Sequence, residues 1–134
     1  MLEIDGKPPR LINQLCEELI CQQYWYHGKL AQEVDTLFIK VNWRWHQLYF
    51  DAGIVFWRIQ AEAPVPVEQL AGSPFAYPLI DIGEQYAIKD CFITDCITEP
   101  LVEGARVTLV FDDKGTLFIT HSDNRTRLQF NSSK

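Results

Sequence analysis

The sequence runs to 134 residues, 47% hydrophobic and 13% aromatic, with a formal net charge of −6. That is the length of one ordinary domain, with ample apolar material for a core. The negative balance argues against the basic surface that general binding to nucleic acid or anionic lipid requires, and no run of about 18 apolar residues is present to span a membrane.

The opening Met1-Leu2-Glu3-Ile4-Asp5 is acidic where a secretory leader is basic, so the expectation is a single cytoplasmic domain over 1–134. Residues 9–26 carry Leu11, Ile12, Leu15, Cys16, Leu19 and Ile20 at helical spacing. Pro8 and Pro9 suit a helix start and Gly28 a left-handed stop, so this segment reads as a helix. Residues 36–60 read as a three-stranded meander: Thr36 to Val41, Trp45 to Phe50 and Ile54 to Gln60, with turns at Asn42-Trp43-Arg44 and Asp51-Ala52-Gly53. Pairing Val41 with Trp45 gathers Leu37, Ile39, Val41, Trp45, Tyr49, Val55, Trp57 and Ile59 on one face. The other face then carries a basic row, Lys40, His46 and Arg58, beside an apolar row, Phe38, Leu48 and Phe56.

Residues 61–78 hold Pro64, Pro66, Gly72, Pro74 and Pro78 and read as a long internal connection, with one helical turn over Val67 to Leu70. Two more strands follow around Gly83-Glu84-Gln85; the second, Tyr86 to Thr98, alternates poorly and suggests a bulge or burial on both faces. Residues 105–130 form a second meander turning at Asp113-Lys114-Gly115 and Asp123-Asn124. Its alternation puts Ala105, Val107, Leu109, Phe111, Leu117, Ile119, Leu128 and Phe130 on one face. Together these elements predict an α+β fold: one N-terminal helix packed on a curved antiparallel sheet of about seven to eight strands, built from the two three-stranded meanders.

Chemistry is sparse in the sequence. Cys16 and Cys21, and Cys91 and Cys96, repeat a C-x4-C spacing. Residues five apart diverge by about 140° on a helix and point to opposite faces on a strand, so core packing is the expectation and no metal site is assigned. Asp90 and Asp95 would raise a neighbouring thiol's pKa, which disfavours a cysteine nucleophile. The acidic stretch Asp90, Asp95, Glu99 and Glu103 reads as solvent-facing side chains. No glycine-rich phosphate loop is present, and no cofactor is assigned.

Two surfaces stand out. Lys40, His46 and Arg58, with Arg44 in the preceding turn, form a candidate site for an acidic ligand. Trp43, in a turn, and Phe38, Leu48 and Phe56 form a candidate interface. The sequence therefore points away from an enzyme and toward a non-catalytic protein-interaction or regulatory module, with a protein partner or self-association as a dimer. The alternative is a roll that binds a small ligand, acidic ligands included. A second is an enzyme using His46 or His121 as general base.

Overall fold

The computed structural model describes residues 2–133. Its strands are β1 (Ile4–Asp5), β2 (Gln14–Cys16), β3 (Glu18–Tyr26), β4 (Lys29–Val41), β5 (Arg44–Asp51), β6 (Ile54–Gln60), β7 (Phe75–Ala76) and β8 (Leu79–Asp81), then β9 (Cys91–Leu101), β10 (Gly104–Phe111), β11 (Gly115–Ser122) and β12 (Arg125–Ser132). One helical turn, α1 (Ile82–Gln85), lies between β8 and β9, where the Asp81 carboxylate caps it by accepting from the Glu84 amide. The protein is thus nearly all β, and the expected N-terminal helix packed on a sheet is overturned. The first sheet has seven strands in the order β1-β6-β5-β4-β3-β7, with β8 also on β3; the second has five, β12-β11-β10-β9-β2.

The physical reason for the missing helix is a corner. Residues 14–16 belong to the second sheet and 18–26 to the first, so the chain changes sheets at Glu17. Cys16 faces the interior from one sheet, and Leu19 and Cys21 face it from the other. The change of phase at Glu17 imitates a spacing of three to four, although β3 itself alternates buried and partly buried residues with period two. The run Tyr24-Trp25-Tyr26 favours a strand by its aromatic content. Gly28, with φ of 73° after His27 at 49°, is the second central residue of a β3–β4 hairpin turn rather than a helix cap.

The first meander exists over the expected residues, with a different register. Val41 pairs with Arg44 and Asp51 with Ile54, so both turns hold two residues. A one-residue slip carries every side chain of β5 to the other face. Leu37, Ile39, His46, Leu48, Val55 and Trp57 therefore point inward, while Phe38, Lys40, Trp45, Tyr49, Phe56 and Arg58 share the outer face. The second meander keeps the expected faces: Val107, Ile119 and Leu128 stand in one inward row, and Leu109, Leu117 and Phe130 in the next. A bulge does occur in β9, where the partners step from Val110–Asp95 to Phe111–Ile93 and leave Thr94 over. The 61–78 connection contains β7 but no helical turn at Val67 to Leu70.

The two sheets enclose one core, with Leu19, Leu37, Leu48, Val55 and Trp57 from the first and Ile93, Val107, Leu109, Leu117 and Ile119 from the second. Each such side chain contributes roughly 1.5–3 kcal/mol by leaving water. One seam between the sheets is the corner at Glu17, whose amide donates to the Lys40 carbonyl (2.9 Å). The other is closed by side chains. The first half of β4, beyond its pairing with β5, lies along β12, where Gln32 Oε1 accepts from the Thr126 amide (2.6 Å) and Glu33 Oε1 from the Leu128 amide (2.8 Å).

Candidate functional site

The β4–β5 turn is built from Asn42 and Trp43, with φ of 50° and 65°. Two left-handed central residues make the turn that matches strand twist, and its usual sequence is Asn-Gly. Here tryptophan stands where glycine is favoured, against a steric cost of about 1–2 kcal/mol for a side chain with a Cβ. The indole recovers nothing by burial, since it is 83% exposed. The Glu17 carboxylate accepts from the Trp43 amide (2.9 Å), and the Lys40 ammonium sits 5.6 Å from the ring centroid.

Trp43 is one wall of an open cleft of about 620 Å³ between this turn and the β2–β9 edge. Half-exposed Phe92 forms another apolar surface. Glu17, Glu18 and Asp90 supply carboxylates and Lys40 and Lys89 amines, the latter 3.7 Å from Glu84. Asn13 (φ 67°) and Asp90 (φ 62°) also line it, so four of the ten left-handed non-glycine residues among those described gather at this one cleft. Strained backbone persists where the surroundings hold it in place, and it concentrates at binding and catalytic sites.

The residues singled out in the sequence fall in several places. Lys40 and Trp43 meet at the cleft. Arg58 lies on the outer face but is engaged by Asp5 through a 2.7 Å ion pair, with its guanidinium over Phe56. His46 points inward between Ile39 and Ile59, and Arg44 is exposed at the turn on that same side of the strand. The basic row is therefore not formed, because its register was one residue off. Leu48 is core; Phe38 is buried on the outer face, and Phe56 stacks on Tyr49 with centroids 4.9 Å apart.

Burial pushes the His46 imidazole below its ordinary pKa, with Arg44 adding to the effect. Burial does the same to His121, opposed in part by Asp51. His121 Nδ1 is 2.9 Å from the Thr126 hydroxyl. Among the described residues no three His, Cys, Asp or Glu side chains converge to hold a metal ion, and no helix is long and apolar enough to cross a membrane.

Sequence reasoning missed Asn13, Glu17, Asp90 and Phe92, which the cleft draws from a supposed helix and from the irregular start of β9. Reading Val41-Asn42-Trp43-Arg44 as a two-residue hairpin turn would have placed Trp43 at a tip. A second groove, of about 640 Å³, was also missed; it is lined by Trp25, Tyr77, Pro66, Val67, Pro74 and Pro78 among others, beside stacked Tyr24 and Tyr77. No family model, no curated protein and no solved structure matches this chain.

Proposed function

We propose that this domain is a non-catalytic interaction module whose Trp43 cleft takes hold of a protein segment bearing a basic residue beside an aliphatic one. The carrying observation is Trp43 itself: a fully presented indole, at a turn position where glycine would relieve strain. Exposed aromatics of this kind act as anchors at interfaces. The charge of the partner follows from complementarity, since Glu18 and Asp90 line the cleft of a chain with net charge −6. A non-catalytic reading is supported by the interior positions of His46 and His121, both 9% exposed or less. The test is selection from an array of random nonapeptides, comparing wild type with Trp43→Gly. Wild type should enrich Lys- or Arg-containing peptides, and Trp43→Gly should weaken them at least tenfold. Its stability should change by no more than about 1 kcal/mol, because relief of the left-handed strain offsets the added freedom of the unfolded glycine. Enrichment that survives Trp43→Gly, or none at all, would sink the reading.

A second reading, a small neutral aromatic ligand held between Trp25 and Tyr77, is favoured by the groove's size and apolar lining. Titration with a neutral environment-sensitive fluorophore should saturate, and Tyr77→Ala should weaken it several-fold. A response that Tyr77→Ala leaves unchanged removes this reading and not the first.

A further inference from the structure

The pairing of β2 with β9 sets two cysteines face to face, 75 positions apart in the chain: Cys16 is the direct partner of Cys91. Direct partners in an antiparallel pair alternate between sites that exchange backbone hydrogen bonds and closer sites that do not. The Cys91 amide donates to the Ile88 carbonyl (3.2 Å), and the Cys16 carbonyl accepts from the Asp90 amide (2.7 Å). The Cys16 carbonyl therefore points toward β9, while the Phe92 carbonyl turns the other way to accept from the Asp112 amide (3.0 Å), so Cys16 and Cys91 occupy a site of the hydrogen-bonded kind, distorted at Asp90. Cα atoms there stand about 5.5 Å apart, within the range of about 4.4–6.8 Å that a disulfide spans.

The thiols also lean the same way. Cys16 Sγ is directed at the Glu18 carbonyl (3.7 Å), and Cys91 Sγ at the Ala87 and Lys89 carbonyls (3.8 and 3.7 Å). Because the strands are antiparallel, residue 18 and residues 87–89 lie toward the same end of the pair. The other two cysteines have no such partner, since Cys21 stands opposite Leu37 and Cys96 opposite Leu109. All four are free thiols. Cys16 is fully buried, whereas Cys91 is partly exposed.

We propose that Cys16 and Cys91 form a reversible dithiol–disulfide site that reacts with small-molecule disulfides, RSSR. The Cys91 thiolate attacks one sulfur of RSSR, forming a mixed disulfide and releasing RS⁻, which is protonated to RSH. Cys16 then gives its proton to solvent, attacks Cys91 Sγ and releases the second RS⁻. Two protons and two electrons pass from the protein to RSSR, giving two RSH; excess thiol reverses both steps. Burial, then the charges of Cys91, Asp90 and Glu17, push the Cys16 thiol up to about 12, which makes closure the slow step. The closed bond would staple the sheet-changing corner from behind, and it forms whether or not the cleft has a partner.

The test is incubation of the intact chain with oxidised glutathione, followed by unreduced mass spectrometry with fragment mapping. A glutathione adduct on Cys91 should convert to a chain about 2 Da lighter than the reduced protein, linked between Cys16 and Cys91. Closure should speed up about tenfold per pH unit between about pH 7 and 9. Cys96→Ala should close as wild type does, and Cys91→Ser should not close. An adduct on Cys91 that persists at about pH 9, or a link that uses Cys21 or Cys96, would overturn the proposal.

Discussion

His46 and His121 show how one residue's environment becomes a property of the whole. Both rings are held inside, His121 stacked on Phe50 with centroids 5.3 Å apart. Burial lowers both folded pKa values below the ordinary 6.5. The unfolded chain therefore binds more protons once the pH drops under 6.5, and stability that is complete above that value is lost as pH falls toward the folded values. Urea denaturation should give a lower stability at about pH 5.5 than at about pH 7.5, and the His46→Gln, His121→Gln double variant should show a flatter dependence. A wild type as stable at the lower pH would contradict this account. The sequence reading had placed His46 on the opposite face, beside Lys40 and Arg58. The cause was two turns, each expected with three residues and each formed with two; at the first, tryptophan in a left-handed position is a steric outlier that disguises the two-residue turn. Lys40 and Trp43, expected in two separate surfaces, line one cleft; that cleft was not legible, because Asn13, Asp90 and Phe92 reach it only through the β2–β9 pairing.

Among the elements, β12 has the least usual neighbour. It edges the second sheet, and the amides of Thr126 and Leu128 are answered by the side chains of Gln32 and Glu33 rather than by another strand. A second bond, from Gln32 Nε2 to the Asn124 carbonyl (3.1 Å), holds the glutamine in place. Gln32→Ala should leave the Thr126 amide without its acceptor and cost roughly 1–3 kcal/mol. Hydrogen exchange at Thr126 should quicken, with Glu33→Ala doing the same at Leu128; unchanged exchange in both would show that water serves these amides as well. The strands of the second meander were legible because Asp123-Asn124 tolerates two left-handed residues and the alternation either side is unbroken. The segment 14–26 was not, because Glu17 interrupts one strand pattern to begin another. A spacing rule applied across such a corner finds a helix that neither half supports.

For the molecule as a whole, the sequence conveyed an apolar, antiparallel, turn-rich chain with two meanders, and that much the structure contains. It did not convey that the meanders belong to different sheets facing one another, since nothing local encodes which strand of one half meets which strand of the other. Length and composition are silent on such pairings, and the supposed helix had already taken the residues that would have joined the two layers. Those joining residues carry one more consequence. Gln14–Cys16 leave the ribosome early, yet their strand partners, Cys91 to Ile93, emerge some 75 residues later. In the interval β3, β4, β5 and β6 can already zip together through neighbouring hairpins. Their inward side chains, Leu19, Leu37, Leu48 and Trp57 among them, must wait, uncovered, for Leu117 and Ile119 to be synthesised. The order of translation thus sets an apolar half-shell before its lid, and the nascent first sheet is the stage of this protein's life that most needs shielding from its neighbours.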